Sequence, residues 1–205
     1  HLGTRILASA EVTAHGGPGS ARPLGRFVLA GQSAPVGLHE LRCEALPADA
    51  DRATVYAELL ASVRALVDAE PDLVANLANI AAAIKQALPH ASWVGFYRLE
   101  GRHVGADLVL GPFQGKLACT RIPAGKGVCG AAAARQEAVV VPDVHAFPGH
   151  IACDAGTRSE IVVPVVRAGQ VLAVLDLDSE LPAAFDDHDI APLTAIAAVV
   201  ATLAW

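Results

Sequence analysis

The side chains with the most distinctive chemistry in this sequence are the thiols of its cysteines, Cys43, Cys119, Cys129 and Cys153. Cys153 lies in the stretch GHIACDAGTRSE (149–160), three positions after a histidine and just before acidic and hydroxyl side chains. A thiol in such a setting can be a nucleophile, a metal ligand or a small apolar side chain. Cys43 lies in a glycine- and proline-rich leader and is treated as incidental.

Two chemical hypotheses compete for the other three thiols. In the first, zinc is bound by imidazole and thiolate ligands: His145, His150, Cys153 and Cys129. The spacing H-x4-H-x2-C matches no common zinc finger, and no CxxC pair is present. In the second, Cys153 is a redox nucleophile that Cys119 resolves, which requires thiolate character, access and a second sulfur within bonding distance. The spacing disfavours zinc but does not by itself establish the redox pair.

Composition and charge limit the partners of the chain. It has 205 residues, 53% of them hydrophobic, which is enough for one core and one globular domain. Its 15 basic against 21 acidic residues give a net charge of -6, which argues against a nucleic-acid partner because such a partner needs a clustered basic surface. The start of the chain, HLGTRILASAEV, lacks the apolar core of a signal peptide, so we expect a cytoplasmic protein.

The C-terminal segment 190–205 is apolar except for two threonines, but its sixteen residues fall short of the roughly 20 that cross a bilayer. We therefore expect no membrane span. Its apolar residues recur at helical spacing, and the alanines between them leave room for close packing, in the core or in a homodimer.

The first 48 residues are rich in glycine, proline, alanine and serine and show no sustained period. We expect residues 1–48 to form a disordered or loosely attached leader and residues 49–205 to form the domain. Because methionine is absent, His1 is not an initiator, and we expect the natural start near Leu46.

The domain begins with a predicted helical hairpin, since apolar residues recur at helical spacing from Val55 to Val67 and from Leu73 to Leu88. Pro71 is expected to open the second helix. Six strand-like runs follow, at 92–99, 108–113, 117–122, 138–141, 160–167 and 170–178. An alanine-rich helix at 127–136 interrupts these runs, and Asp186 or Asp189 is expected to cap a last helix.

These elements predict a mostly antiparallel six-stranded sheet, flanked by the N-terminal helical hairpin and by the C-terminal helix. One connection stands out, because residues 142–159 form a long irregular segment in an otherwise regular domain. Long structureless connections inside compact domains are usually functional, and this one carries Cys153.

Five stretches resemble a known family: GPFQGKLAC (111–119), RIPAGKGVCG (121–130), PDVHAFPGHIACD (142–154), SEIVVPV (159–165) and VLDLDS (174–179). In these stretches, and in the intervals of ten and twenty-four residues between its last three cysteines, the chain resembles the free methionine-(R)-sulfoxide reductases. These are single GAF-domain enzymes. The resemblance runs from about residue 51 to residue 205 and implies a GAF-like α/β fold of the α+β type.

The resemblance also implies roles for eight side chains. Cys153 corresponds to the catalytic cysteine of the family, Cys119 to the resolving cysteine, and Cys129 to a third cysteine of accessory or backup role. Three acidic residues correspond to those that hold the sulfoxide and the amino group of the substrate: Glu160, Asp176 and Asp178. Two aromatic residues, Trp93 and Tyr97, correspond to the wall around the methyl end of the substrate.

The three carboxyls raise a difficulty, because a nearby carboxylate raises the pKa of a thiol and disfavours the thiolate. Mutual repulsion in a partly dry pocket resolves it, since at least one carboxyl then stays protonated and can donate to the leaving sulfoxide oxygen. We expect Glu160 or Asp178 to be that acid. We expect Asp176 or Asp178, which share one face of a strand, to bind the substrate ammonium group and so to favour the free amino acid.

The implied reaction is attack of the Cys153 thiolate on the sulfoxide sulfur, formation of a sulfenic acid, and closure of a disulfide by Cys119. An external dithiol, which we expect to be thioredoxin, would then reduce that disulfide, without a prosthetic cofactor or a metal. The alternative from another class of function is a non-catalytic GAF module that senses a small ligand in the same pocket.

Overall fold

The structure is a computed structural model that describes residues 51–101 and 105–205 and, of the first fifty residues, three strands: β1 (Arg5–Ser9), β2 (Ala21–Phe27) and β3 (Val36–Arg42). These strands form an antiparallel sheet in the order β1-β3-β2. The chain divides into two compact units, His1–Asp49 and Ala50–Trp205. The expected leader at 1–48 and the expected start near Leu46 rest largely on residues outside this description, as does Cys43, and they stay predictions.

The second unit contains four described α-helices: α1 (Arg52–Ala69), α2 (Leu73–Ala87), α3 (Gly127–Arg135) and α4 (Asp187–Val200). The helical hairpin, the short middle helix and the last helix are therefore present as predicted. Pro71 was expected to open helix α2, but it lies before the cap: the helix begins at Leu73, and the Asp72 carboxylate caps it by accepting the Ala75 N–H at 2.8 Å. Helix α4 uses both expected acids, since Asp186 caps its first turn and Asp189 reaches back to the Asp186 N–H at 2.8 Å.

The six described strands of the second unit are β4 (Trp93–Leu99), β5 (Leu108–Gln114), β6 (Arg121–Ile122), β7 (Val139–Val141), β8 (Ser159–Arg167) and β9 (Gln170–Ser179). They form one sheet in the order β6-β5-β4-β9-β8-β7, and every neighbouring pair is antiparallel. The predicted sheet is thus confirmed. The prediction of a strand over 117–122 was wrong for its first four residues, so Cys119 lies in the connection between β5 and β6.

The two faces of this sheet are covered differently. One face packs against α1, α2 and α4 in the larger hydrophobic core, whereas the other carries α3 and a smaller cluster. Strand β9 shows the alternation, since Leu175 and Leu177 enter the larger core while Val174 enters the smaller one. Because α3 is only nine residues long, it leaves part of the second face uncovered by helix.

Helix α4 packs its apolar residues into the larger core, where Leu193, Ile196 and Val200 are buried. This agrees with the first of the two packing alternatives for the C-terminal segment, and the homodimer stays a prediction. In the described part of the chain, each helix is either too short or too polar to cross a bilayer.

A buried polar network joins the first and last helices of the second unit. The Asp189 side chain is 2% exposed and accepts the Tyr56 hydroxyl at 2.8 Å. The Arg52 guanidinium lies 3.5 Å from the same carboxylate and 2.7 Å from Asp186. A buried carboxylate needs such partners because leaving it without them costs desolvation free energy.

We expect Tyr56→Phe to lower the free energy of unfolding by about 1.5–3 kcal/mol, because a buried charged acceptor loses its hydroxyl donor. Urea titration followed by circular dichroism measures this change. The control, Arg64→Gln on the exposed side of α1, should stay within about 0.5 kcal/mol of the wild-type value. Equal stability of Tyr56→Phe and the wild type would mean that water replaces the hydroxyl at no cost.

Candidate active site

A disulfide between Cys119 and Cys153 defines the site, with the two Cα atoms 5.3 Å apart. The two sulfurs come from different connections, one between β5 and β6 and the other between β7 and β8. The redox hypothesis required that these sulfurs meet, and they do. The disulfide also leaves the Cys153 thiol unavailable to a metal in this form, so the zinc ligand set is not assembled.

The connection that carries Cys153 is long but tied at its base. The Val144 N–H donates to the Arg158 carbonyl at 2.9 Å, and the Arg158 N–H donates to the Ser179 carbonyl at 2.8 Å. A 3-10 turn at Val144–Ala146 adds local order, since the Asp143 carboxylate accepts the His145 N–H at 3.1 Å. These bonds anchor both ends of the connection to the sheet, and Cys153 lies between them.

Three carboxyls come together because β8 and β9 pair antiparallel. Glu160 is directly opposite Asp178 in the register, and Asp176 is opposite the residue two positions after Glu160. Side chains two residues apart on a strand share a face, so all three point to the same side of the sheet. Glu160 is 6% exposed and Asp176 is 5% exposed.

Burial dominates the protonation of this cluster. It raises the pKa of Glu160 well above the usual range, with the negative charges of Asp176 and Asp178 adding to the effect. Burial likewise raises the pKa of Asp178 to about 9 and the pKa of Asp176 to about 7. The sequence argument attributed such a shift to mutual repulsion, whereas desolvation is the larger cause and repulsion the smaller one.

The pKa of Asp176 stays below that of Asp178 because Asp176 receives hydrogen bonds from Cys129 and Glu160. The Cys129 thiol donates to Asp176 Oδ2 at 3.3 Å, and this contact lowers the carboxyl pKa. The other oxygen, Oδ1, is buried and has no hydrogen-bond partner among the described residues. A buried acceptor without a donor is costly, so this oxygen is suited to receive an N–H group from a ligand.

Cys129 is a buried free thiol on α3, and burial raises its pKa well above the usual range. One ligand atom each from Cys129, Glu160 and Asp176 lie within 4.8 Å of one another. Thiol and carboxyl donors can bind a cation, but this thiol donates to Asp176 and Glu160 holds a proton near neutral pH. The arrangement of these three described residues therefore fits a protonated, hydrogen-bonded cluster better than it fits a metal centre.

His150 lies near this cluster, with its Nε2 atom 3.8 Å from Glu160 Oε2. Burial lowers the pKa of His150, and the charge of His145 lowers it further. The imidazole is therefore neutral near pH 7 and does not stabilise a carboxylate at Glu160. The sequence argument left both histidines outside the catalytic set.

An aromatic wall borders the opposite side of the site. The rings of Trp93 and Tyr97 stack with centroids 5.9 Å apart, and Phe113 stacks on Trp93 at 5.3 Å. Glycine is required beside the indole, because a Cβ atom on Gly95 would lie 2.4 Å from the Trp93 ring and one on Gly115 would lie 2.5 Å from it. The ring of Trp93 thus occupies space that these two glycines leave free.

The aromatic wall is also bonded to the segment that carries Cys119. The Tyr97 hydroxyl donates to the Cys119 carbonyl at 2.9 Å, and Trp93 Nε1 donates to the Lys116 carbonyl at 3.1 Å. Two side chains of one strand therefore hold the connection between β5 and β6 against the edge of the pocket. Since the acceptors of these hydrogen bonds are backbone carbonyls, the side chain of Lys116 stays available for other contacts.

The carboxyls, the aromatic wall and the disulfide surround one cavity of about 530 Å³, a volume that includes its opening to solvent. Seven of the eight predicted site residues line it, and the eighth, Cys119, is bonded to one of the seven. The cavity is also lined by Asp154, Thr157, His150, Ile151 and Val128. The sequence argument did not select Asp154 or Thr157, although both lie in the connection that it singled out.

The fold and the site define the class of protein. Residues 48–203 match the GAF domain family, and the chain belongs to that family. The chain is 49% identical to the free methionine-R-sulfoxide reductase of Escherichia coli over 65% of its own length and 79% of that protein. It is 44% identical to the free methionine-R-sulfoxide reductase of Saccharomyces cerevisiae, over 66% of its length and 77% of that protein.

A solved structure gives the same result. The chain matches the X-ray structure of the free methionine-R-sulfoxide reductase from Neisseria meningitidis in complex with its substrate, with 50% identity and a TM-score of 0.71. The match covers 75% of this chain and 90% of that one. Within the GAF class, the chain belongs to the family of free methionine-R-sulfoxide reductases, which confirms the resemblance found in the sequence.

We expect Asp178→Asn to flatten the pH dependence of stability in the oxidised protein. The carboxyl titrates at about 9 in the fold but near 3.8 when unfolded, so between these values only the unfolded chain releases its proton. The unfolding free energy therefore falls as pH rises through that window. In the variant, the slope of unfolding free energy against pH should be smaller by the amount that corresponds to about one proton. Urea titrations from pH 5 to pH 8 measure the slope.

The matched control for this experiment is Glu58→Gln, because Glu58 is exposed on α1. The control should show the wild-type slope. If Asp178→Asn also keeps the wild-type slope, the Asp178 carboxyl is ionised in the folded protein and the assignment of its proton is wrong.

Proposed function

We propose that this protein reduces free methionine-(R)-sulfoxide to methionine by a thiol mechanism. The observation that carries the proposal is the bonded pair Cys119–Cys153 beside a cavity that holds buried, protonated carboxyls. The membership of the chain in the free methionine-R-sulfoxide reductase family supports the same conclusion, including the choice of the R diastereomer.

The lining of the cavity is suited to each part of this substrate. The methyl end of the sulfoxide packs against the rings of Trp93 and Tyr97. The α-ammonium group binds Asp176, whose buried Oδ1 has no hydrogen-bond donor among the described residues and whose pKa, about 7, lies below that of Asp178. The sulfoxide oxygen faces Glu160 and Asp178, which hold protons near neutral pH.

The reaction begins with the reduced enzyme. The Cys153 thiolate attacks the sulfoxide sulfur, and Glu160 or Asp178 donates a proton to the oxygen. The hydroxyl then moves with its bonding pair from the substrate sulfur to the cysteine sulfur while the transient sulfur–sulfur bond breaks, so that Cys153 becomes a sulfenic acid and methionine leaves with the electron pair of that sulfur–sulfur bond. The donated proton stays on the sulfenic acid, and two electrons have passed from the thiolate to the substrate.

Closure of the disulfide completes the oxidative half of the cycle. The Cys119 thiol attacks the sulfenic sulfur, the new sulfur–sulfur bond forms, and hydroxide leaves as water with the proton of the thiol. An external dithiol then reduces the disulfide, and thioredoxin is the expected donor because it exchanges two electrons as a dithiol. This cycle uses no prosthetic group, and we place it in the cytoplasm, where thiols are kept reduced.

Cys129 has an accessory role in this scheme. Its buried thiol donates to Asp176, so it supports the ammonium-binding carboxylate rather than attacking the substrate. Because a buried thiol with a raised pKa is a poor nucleophile, Cys129 resolves Cys153 only slowly, even when Cys119 is absent.

The preference for the free amino acid follows from the ammonium site. A peptide-bound residue has no α-ammonium group, so Asp176 would stay unpaired in a closed pocket. A site that leaves a buried polar group unpaired rejects the wrong substrate more strongly than an apolar pocket that differs by one methylene contact. Protein-bound methionine sulfoxide is therefore a poor substrate.

The proposal is tested by mixing reduced protein with free methionine sulfoxide in the absence of a reductant. We expect one methionine released and two thiols lost per chain. Cys153→Ser should release none, and Cys119→Ser should release one methionine and leave a sulfenic acid that dimedone traps. Binding without loss of thiols would instead support the sensor alternative, and methionine release by Cys153→Ser would refute the assigned nucleophile.

We expect Glu160→Gln to slow methionine release in the first turnover by roughly 10²- to 10⁴-fold, the usual contribution of a general acid. Rapid-quench measurement with the free sulfoxide gives this rate. Glu137→Gln is the control, since Glu137 is an exposed carboxylate after α3 and should leave the rate unchanged. If the rate of Glu160→Gln stays within twofold of wild type, Asp178 is the acid.

A further inference from the structure

Lys116 lies in the connection between β5 and β6, close to Cys119 in the sequence. It lies three residues before Cys119, and its carbonyl accepts the Trp93 indole N–H. The side chain itself is 62% exposed and reaches Asp154 in the connection that carries Cys153.

The Lys116 ammonium group contacts two carboxylates. Its Nζ lies 3.0 Å from Asp154 Oδ2 and 2.6 Å from Glu180 Oε1. Asp154 follows Cys153 directly, and its other oxygen accepts the Gly156 N–H at 3.0 Å, which fixes the carboxylate within its own connection. Glu180 follows the end of β9.

Lys116 therefore links the two cysteine-bearing connections without a covalent bond. The hydrogen bonds from Trp93 and Tyr97 hold the Cys119 segment to strand β4, but they do not reach the Cys153 segment. Among the ion pairs formed by residues 51–101 and 105–205, the pair Lys116–Asp154 is the one that joins the two segments. The ammonium group of Lys116 thus has two negatively charged partners, Asp154 and Glu180.

We infer that Lys116 is a positioning residue for disulfide closure, holding the Cys119 thiol close to Cys153 when the latter carries a sulfenic acid. This inference rests on the proposed function, in which the sulfoxide substrate generates the sulfenic acid on Cys153. In the step concerned, the Cys119 sulfur displaces the hydroxyl from the Cys153 sulfur. The sulfur–sulfur bond forms, the sulfur–oxygen bond breaks, and water leaves with the thiol proton.

The expected size of the effect follows from the exposure of the pair. Exposed ion pairs contribute modestly and are screened by salt, so loss of Lys116 should slow closure by about two- to fivefold rather than abolish it. The attack on the sulfoxide does not require Cys119. Methionine release in the first turnover should therefore keep its wild-type rate, and the lifetime of the sulfenic acid should increase.

The experiment compares Lys116→Met, which keeps the length of the side chain without its charge, with the conservative variant Lys116→Arg. Lys85→Met on α2 is the matched control, because it makes the same substitution on the helical layer that packs on the opposite face of the sheet. Reduced protein is mixed with free methionine sulfoxide without reductant. Methionine is measured by chromatography, the sulfenic acid by dimedone trapping, and the disulfide by loss of free thiols.

We expect Lys116→Met to release methionine normally, to accumulate more trapped sulfenic acid and to close its disulfide two- to fivefold more slowly, with Lys116→Arg and the control close to wild type. Added salt should slow closure in the wild type and leave Lys116→Met unaffected. A wild-type closure rate in Lys116→Met overturns the inference, and so does an equal slowing of methionine release and closure.

A second oxidant separates this inference from the proposed function. Hydrogen peroxide also converts a cysteine thiolate to a sulfenic acid, with water as the product, so closure can be followed in every variant without the sulfoxide. If the wild type releases no methionine from the sulfoxide, the proposed function fails. Slower closure of Lys116→Met after peroxide treatment would still support Lys116 as the positioning residue, and an unchanged rate would still overturn it.

Discussion

The antiparallel pairing of β8 with β9 is the constraint on which the site depends, because it forces Glu160, Asp176 and Asp178 onto one buried face. Burial is the largest cause that raises the pKa values of these carboxyls, so the fold keeps protons on Glu160 and Asp178 near neutral pH. A buried acid that is protonated near neutral pH can donate, whereas an exposed one is ionised and cannot. The chemistry of the pocket thus follows from strand register and burial.

The two faces of the sheet serve different purposes. The three helices on one face bury a continuous core that includes Leu175 and Leu177, and this core holds β9 in place. The other face carries one short helix, and the uncovered part becomes the cavity. Because alternate residues of β9 serve the core and the cavity, the stability of the fold and the geometry of the carboxyls depend on the same strand.

The sequence predicted the fold well because its signals were local. The helical periodicities, the strand-like runs and the acids before α2 and α4 are all visible within short windows. The strand predicted at 117–122 failed in part, since LACTRI has strand-like residues but its first half is held by a hydrogen bond from the Tyr97 side chain of β4 to the Cys119 carbonyl. Contacts of this kind join distant positions and leave no periodic signal.

The candidate site was predictable to a similar degree. The motifs selected the candidate site residues, and the structure brings these residues together. The main cause of the carboxyl pKa shifts could not be predicted from the sequence, because the extent of burial depends on which face of the sheet α3 covers. Lys116 and Asp154 were also missed, since an ion pair between residues 38 positions apart becomes visible only in three dimensions.

The bond between Cys119 and Cys153 has a kinetic consequence for the proposed reaction. While that bond exists, the Cys153 sulfur is not a thiolate and cannot attack the substrate, so sulfoxide and reductant must take turns at the same atom. Catalysis is then ping-pong, and turnover in the cell follows whichever of the two supplies is scarcer. When dithiol becomes limiting, the enzyme population rests in its oxidised state and the sulfoxide accumulates.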